Sequence, residues 1–154
     1  MAVEIERKFL VDLERCPLPA NGRLIRQGYI QTTTNTAVRV RIRGDSAFLT
    51  LKGENRGAAR SEFEYSIPVE DALQIVAEMC EGRVVEKTRY EIPFANHLWE
   101  VDIFSGKNQG LCIAEVELAS EDEPVDLPPW VTEEVTGDPR YYNANLLGHP
   151  YQDW

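Results

Sequence analysis

The sequence predicts an α+β protein, mainly antiparallel β, whose strands close into a small barrel. Apolar and polar residues alternate with period two from one end of the chain to the other, and this alternation is typical of strands. There are eight such segments, which is enough to close a small barrel able to hold one ligand. The expected strands are residues 3–11, 26–33, 37–44, 46–53, 60–68, 83–93, 97–105 and 111–119.

Two segments depart from this alternation and predict helices. In VEDALQIVAEMCEG, residues 69–82, the apolar side chains recur at helical spacing and Gly82 is a natural stop. In GDPRYYNANLLG, residues 137–148, Asp138 can cap a short helix that begins at Pro139 and ends at Gly148. The proline-rich EPVDLPPW that precedes it is expected to be a loop.

Composition limits the classes of protein that fit the sequence. A chain of 154 residues with 43% hydrophobic residues suits a single globular domain over residues 1–154. No apolar run is long enough to span a membrane, and the N-terminus lacks the apolar stretch of a signal peptide. Three widely spaced cysteines indicate a reducing, cytoplasmic compartment. A net charge of −10 disfavours nucleic acid or an anionic membrane as a surface partner.

Most of the expected strands carry charges of one sign on one face and apolar residues on the other. Residues two apart share a face of a strand, so the first strand places Glu4, Glu6 and Lys8 together. Arg7 falls on the apolar side of that strand, and the sequence offers no explanation for it. The like-charged groups in the other strands are Arg39, Arg41 and Arg43; Glu62 and Glu64; Lys87 and Arg89; Glu100 and Asp102; and Glu115 and Glu117.

Two arrangements of these strands fit the pattern. In the first, the apolar faces form the core of the barrel and the charged faces meet water, which is the better interpretation of any single strand. In the second, the charged faces line a wet tunnel and the apolar faces are covered by helices. The clustering of charge by sign favours the second arrangement, because solvated faces usually mix charges.

A charged tunnel would suit a chain of phosphates held with a metal ion. Arginine and lysine bind phosphate through forked donors and point charges; here these residues would be Lys8, Arg39, Arg41, Lys52, Lys87 and Arg89. Two carboxylates about 4 Å apart repel each other by roughly 4 kcal/mol at an effective dielectric near 20, so an acidic cluster needs a counterion. Carboxylate oxygens suit Mg²⁺ or Mn²⁺; here they would come from Glu4, Glu6, Glu115 and Glu117.

Several motifs resemble those of one family. EIERKF resembles the ExExK signature of the CYTH superfamily, the triphosphate tunnel metalloenzymes. The similarity continues in family order through RQGYIQ, AVRVRIRG, LTLKG, RSEFEYSIP, VVEKTRYEI, WEVDIFSG, AEVELAS and EVTGDPRYYNANL. It is greatest to the short microbial branch, whose members resemble inorganic triphosphatases. The resemblance implies an eight-stranded tunnel with a charged interior that hydrolyses or cyclises triphosphates with a divalent metal.

The resemblance also implies a role for individual residues. The metal-handling carboxylates would be Glu4, Glu6, Glu115 and Glu117, with Asp102 as an addition. The triphosphate would be bound by Lys8, Arg39, Arg41, Lys52, Lys87 and Arg89, and those cations would be positioned by Glu62 and Glu64. Lys8 and Tyr29 match a pair that the branch uses near the reacting phosphate, which makes them the expected catalytic residues.

The sequence therefore predicts a Mg²⁺- or Mn²⁺-dependent triphosphatase that cuts tripolyphosphate to pyrophosphate and phosphate. A nucleoside or thiamine triphosphatase and a class IV-type adenylyl cyclase are alternatives within the superfamily. A non-catalytic sensor of polyphosphate or nucleotide is an alternative of another class. The expected partner is a small triphosphate substrate, without nucleic acid or membrane, and the protein is expected to be a monomer or a homodimer.

Overall fold

Antiparallel strands dominate the structure, a computed structural model that describes residues 3–154. The strands are β1 (Val3–Val11), β2 (Arg23–Ile30), β3 (Ala37–Arg43), β4 (Ser46–Lys52), β5 (Ala59–Ile67), β6 (Val84–Phe94), β7 (His97–Phe104), β8 (Cys112–Glu117) and β9 (Val131–Glu134). The α-helix α1 (Val69–Met79) lies between β5 and β6, and short 3-10 helices occupy Gly106–Asn108, Pro139–Tyr141 and Tyr151–Asp153.

The first eight strands close into a barrel in the order β1-β5-β4-β3-β2-β6-β7-β8 and back to β1. One edge of β1 pairs with β8 through residues 6–10. The other edge is shared, because residues 3–5 pair with β5 and residues 9–11 pair with β9. The expected closed antiparallel barrel is confirmed, and β9 is an addition that the sequence did not predict. The second strand was expected at 26–33 and is found at Arg23–Ile30.

The apolar faces of the strands point outward and are covered on two sides. Helix α1 packs through Ala72 and Val76 against β2, β3 and β4. Its C-terminal end approaches β2 closely at Gly28, where a side-chain carbon would lie 2.7 Å from the sulfur of Cys80. On the other side, Trp99 is fully buried and Trp130, from the segment before β9, packs against it with ring centroids 5.9 Å apart. The barrel is therefore of the second kind, with its charged faces inside.

The C-terminal segment does not form the helix expected over residues 138–148. Asp138 caps a 3-10 helix as predicted, accepting a hydrogen bond from the backbone N–H of Arg140, but that helix ends at Tyr141 and turns follow. Tyr141 and Leu146 are buried against inward-facing apolar residues of the barrel, including Phe104 and Ile113. This segment therefore fills one end of the barrel, and α1 is the α-helix that packs outside it in the described part of the chain.

The structure explains Arg7, which lies on the outer face of β1 beside β9. Its guanidinium donates two hydrogen bonds to Glu134, with Nε–Oε2 at 2.9 Å and Nη2–Oε1 at 2.7 Å. It also lies 5.1 Å from the ring centroid of Phe9. Thr136 donates to the same Glu134 carboxylate and accepts from the backbone N–H of Lys8. Arg7 thus fastens β9, and the C-terminal segment that follows it, to β1.

Within residues 3–154, none of the helices is both long enough and apolar enough to cross a bilayer.

We expect the double substitution Arg7→Met and Glu134→Gln to lower the free energy of unfolding by about 1 kcal/mol, because the forked pair is only partly shielded from water. For a chain of this size that is about 2–4 °C in Tm. Thermal melts would measure it. The matched control is Arg26→Met with Glu86→Gln, a more exposed pair with N···O at 3.9 Å, which should change Tm by less. Equal effects of the two double substitutions would contradict a fastening role for Arg7.

Candidate functional site

A cavity of about 720 Å³ runs through the interior of the barrel. With one exception, all the residues that the sequence singled out line it: Glu4, Glu6, Lys8, Tyr29, Arg39, Arg41, Lys52, Glu62, Glu64, Lys87, Arg89, Glu115 and Glu117. The exception is Asp102, which is fully buried behind the wall. The period-two parity of the strands therefore brings together side chains from seven strands that are far apart in sequence.

The register of the strands decides which charges face each other. Lys8 of β1 lies opposite Glu115 of β8, so a cation meets a carboxylate across that pair. Lys52 of β4 lies opposite Glu62 of β5 in the same way. Residues opposite each other in an antiparallel pair point to the same face, so both side chains of each pair face the cavity.

One wall of the cavity is crowded with carboxylates. The Nζ of Lys8 lies between Glu6 and Glu115, at 3.8 and 3.9 Å from their oxygens. Burial raises the pKa of Glu6 well above its usual value, and the neighbouring Glu115 and Glu4 carboxylates raise it further. Burial also disfavours the charged form of Glu115, but Lys8 and Arg89 outweigh it and hold the pKa of Glu115 well below its usual value. Glu6 therefore tends to hold the proton, and Glu115 the charge.

Glu4 extends this acidic wall toward β4 and β5. Its carboxylate accepts from the Nζ of Lys52 at 3.1 Å. Burial raises the pKa of Glu4, and a hydrogen bond with Glu62 adds to the rise. Glu117 lines the same cavity but is exposed at its mouth. The acidic side chains thus differ in burial, and Glu4, Glu6 and Glu115 form the enclosed group.

A second group of charges holds two cations against the opposite wall. Arg89 forms a forked pair with Asp102, at 2.7 and 2.8 Å, and a further bond of 3.2 Å to Glu100. The Nζ of Lys87 lies 2.7 Å from Oδ2 of Asp102, the oxygen that also accepts from Nη2 of Arg89. Burial lowers the pKa of Lys87 to about 7, with Asp102 opposing that shift and Arg89 adding to it. Both oxygens of Asp102 are therefore occupied by these two cations.

Arg41 differs from the other predicted phosphate-binding residues. Its Nε donates to Gln27 at 3.0 Å, yet no carboxylate among residues 3–154 lies within ion-pairing distance of its guanidinium. Burial, together with the neighbouring Arg39 and Arg89, lowers the pKa of Arg41 to about 10. A half-buried arginine beside two others, without a counterion, is the arrangement that an anion would stabilise.

Arg39 stands next to it and is only partly satisfied. Its Nη2 donates to Thr50 at 3.3 Å and lies 3.5 Å from Glu64. Its Nε is buried and has no hydrogen-bond partner in the described chain. Thr50, which donates to Glu64 at 3.1 Å, was not singled out from the sequence. An uncharged threonine on a strand carries no signal beyond its parity with the charged residues.

Two amide side chains that the sequence did not single out connect the cation wall. Gln27 is fully buried and contacts Arg41, Tyr29 and Asn143. Asn143 belongs to the C-terminal segment and accepts from Lys87 at 2.9 Å. Gln27 shares its strand parity with Tyr29, which was the one signal available for it. Nothing in the sequence indicates that Asn143 reaches the cavity.

The cavity thus has cations on one side and carboxylates on the other, with Lys8 and Lys52 among the carboxylates. Within residues 3–154, no three carboxylate, imidazole or thiolate groups form a ready-made metal-binding cluster. The enclosed glutamates nevertheless fit a hard divalent ion, because they are oxygen donors crowded enough to raise the pKa of Glu6 and Glu4. The cavity can hold a linear polyanion along one wall and a cation along the other.

Comparison with known proteins gives a consistent result. The CYTH domain family matches residues 2–142. An inorganic triphosphatase of Acetivibrio thermocellus is 47% identical over 154 residues, covering 100% of this chain and 99% of the relative. An inorganic triphosphatase of Nitrosomonas europaea is 42% identical, covering 93% of this chain and 95% of the relative. A solved structure of an inorganic triphosphatase is similar at a TM-score of 0.67 and 40% identity, covering 96% of this chain and 95% of that one. The chain belongs to the CYTH family.

Proposed function

We propose that this protein hydrolyses inorganic tripolyphosphate to pyrophosphate and phosphate inside its barrel, as a single domain over residues 1–154. The observation that carries the proposal is Arg41, an enclosed guanidinium without a carboxylate partner, beside Arg39 and Arg89. The inorganic triphosphatases of high identity support the reaction and the substrate. Such a site binds a compact polyanion better than a neutral or cationic ligand.

The proposed substrate lies along the cation wall. Arg39 and Arg41 direct their free donors to non-reacting phosphates, and Lys52, Lys87 and Arg89 add charge. Lys87 has a pKa of about 7, and an anion bound beside it would favour its protonated form. Asp102 holds Lys87 and Arg89 in place; we propose this role for it in place of metal binding, because its oxygens are already occupied.

The proposed metal site is the enclosed carboxylate group. Glu4, Glu6 and Glu115 would hold the ion, with Glu117 contributing from the mouth, and Mg²⁺ or Mn²⁺ suits their oxygens. CYTH triphosphatases are metal-dependent. When bound, the ion would polarise phosphate oxygens and activate a water molecule. Lys8 lies among the same carboxylates and would neutralise charge on the reacting phosphate.

Tyr29 and Lys8 are the proposed catalytic residues. Both line the cavity, and they are close enough for Tyr29 to contribute to the raised pKa of Lys8, in which Glu115, Glu6 and Glu4 outweigh burial. Tyr29 would donate a hydrogen bond to a phosphate oxygen, and Lys8 would supply positive charge. Glu62 and Glu64 would position the cations of β3 and β4, as the contact of Glu64 with Arg39 suggests.

The cellular setting is also part of the proposal. Three buried free cysteines fit a reducing compartment, so we expect the reaction to take place in the cytoplasm. We also expect the protein to act as a monomer or a homodimer, without nucleic acid.

The first prediction of this proposed function concerns the substrate. Phosphate release should be fastest from tripolyphosphate when tripolyphosphate, ATP and thiamine triphosphate are compared, each with Mg²⁺ and with Mn²⁺. EDTA should abolish turnover while the cooperative melt persists, because the folded core consists of apolar clusters and not of a metal centre. A cyclic nucleotide formed from ATP would favour the adenylyl cyclase alternative. Tight binding of triphosphate without turnover would favour the sensor.

The second prediction separates phosphate binding from metal chemistry. Arg41→Ala should raise KM by about 10- to 100-fold, the equivalent of charge-assisted hydrogen bonds of about 1.5–3 kcal/mol, and should change kcat less. Glu115→Gln should instead collapse kcat, with partial recovery at high metal concentration. Arg26→Ala, on the outer face, is the matched control for the arginine. Full activity of Glu115→Gln at limiting metal would refute the metal assignment.

The third prediction concerns how far the crowded carboxylates lower the free energy of unfolding. Glu6 has a raised pKa in the folded state, so the native protein binds more protons than the unfolded chain and loses stability as pH rises above about 4.5. Glu6→Gln removes that loss and can still donate to Glu115. In metal-free buffer it should raise the free energy of unfolding at pH 8 by at least about 1 kcal/mol, since it relieves like-charge repulsion, while abolishing turnover. Melts between pH 5 and pH 8 should show the gain growing with pH; the exposed Glu117→Gln is the control.

A further inference from the structure

Gln27 uses every hydrogen-bonding group of its side chain inside the barrel wall. Its Oε1 accepts from the Nε of Arg41 at 3.0 Å. Its Nε2 donates to the hydroxyl oxygen of Tyr29 at 2.8 Å and to the Oδ1 of Asn143 at 2.9 Å. The side chain is fully buried, so none of these bonds competes with bulk water. One neutral side chain therefore joins a proposed phosphate ligand, a proposed catalytic residue and the C-terminal segment.

The orientation of both amides is fixed by donors at the two ends of the network. Lys87 can only donate, so the group of Asn143 that faces it must be the oxygen. Because that oxygen also faces Gln27, Gln27 must present its N–H₂ there, which turns its own oxygen toward Arg41. The Nε of Arg41 can likewise only donate, so the two ends of the network agree. Exchange of oxygen and nitrogen in either amide would leave a buried mismatch.

This network has a consequence for the two residues that face the substrate. The hydroxyl oxygen of Tyr29 already accepts a hydrogen bond from Gln27, so its own proton is left to point elsewhere, and Tyr29 lines the cavity. Arg41 is held through its Nε, which leaves the four N–H donors at the end of its guanidinium for a ligand. The network thus presents both groups as donors to an anion.

We propose that Gln27 and Asn143 are positioning residues that hold Arg41, Tyr29 and Lys87 in the geometry that triphosphate binding and cleavage require. The inference rests on the proposed function for its substrate. It makes the C-terminal segment part of the active site, because Asn143 lies between Tyr141 and Leu146, whose side chains are buried in the apolar end of the barrel. The packing of Tyr141 and Leu146 therefore fixes the position at which the Asn143 oxygen accepts the hydrogen bond from Lys87.

The test uses near-isosteric variants that remove the polar groups and keep the volume, Asn143→Leu and Gln27→Met. Asn143→Leu should raise KM for tripolyphosphate about tenfold with little change in kcat, because Lys87 loses a fixing contact. Gln27→Met should both raise KM and lower kcat, each about tenfold, because Arg41 and Tyr29 are both released. Gln27 is in the core, so melts must show that each variant is folded at the assay temperature; Asn143 is only half-buried and provides the second, more tolerant variant.

A double-mutant cycle distinguishes a shared network from two separate effects. If the two amides act together, the double variant should lose little more than Gln27→Met alone, and the effects should be strongly non-additive. Asn145→Leu is the matched control in the same segment, since Asn145 also lines the cavity but its amide bonds the backbone oxygen of Pro139 and takes no part in the hydrogen bonds among Gln27, Asn143 and Lys87. Fully additive losses, or an equal rise in KM for Asn145→Leu, would overturn the proposal, as would KM and kcat within twofold of wild type in both single variants.

Binding measured without turnover keeps this result separate from the proposed function. Titration calorimetry of tripolyphosphate into the metal-free protein reports on Arg41 and Lys87 directly. If wild type binds tripolyphosphate but does not cleave it, the proposed hydrolysis fails, whereas weaker binding by Asn143→Leu than by Asn145→Leu would still support the positioning role. If wild type cleaves it and the variants bind as wild type does, the positioning role fails and the hydrolysis stands.

Discussion

The structure depends on one constraint, which is that charged side chains enclosed by a barrel must each find a partner. Removing a charge from water costs several kcal/mol unless it is paired and hydrogen-bonded. Asp102 meets this requirement through Arg89 and Lys87, and Glu4 meets it through Lys52. Arg41 does not, since Gln27 is its hydrogen-bond partner in the described chain. This missing partner of Arg41 is the reason that we assign phosphate binding to this wall of the cavity.

Turning the charges inward obliges the protein to bury its apolar residues elsewhere. Helix α1 covers one outer face and the segment carrying Trp130 covers another. The apolar end of the barrel is filled by residues 141–146 instead of by strand side chains alone. The anchoring of β9 by Arg7 brings that segment to the barrel. The C-terminal segment therefore contributes both to packing and to the cavity: Leu146 is buried in the apolar cluster, and Asn143, three residues earlier, accepts a hydrogen bond from Lys87.

Strand parity predicted the barrel and which side chains share a face, because period two leaves each side chain only two directions, and the clustering of charge by sign indicated that the charged faces point inward. It failed where a residue's role depends on the tertiary partner. The cap at Asp138 signals the start of a helix but not its length, and packing of Leu146 into the barrel ends it early. Arg7 looked misplaced because its partner Glu134 lies 127 residues away. Gln27 was missed because a neutral amide adds nothing to a charge pattern.

The coexistence of carboxylates and a phosphate site in one cavity follows from the same requirement. Lys8 and Lys52 are the counterions of Glu6, Glu115 and Glu4. A polyanion alone would draw those lysines away and leave the glutamates unpaired, whereas a metal ion alone would compete with them. In the proposed site, a metal ion and a polyanion bound together would add opposite charges to opposite walls, and each would supply the counterion that the other displaces. Such a site would favour joint binding of the two, and carboxylates that repel each other would become stabilising once both are bound.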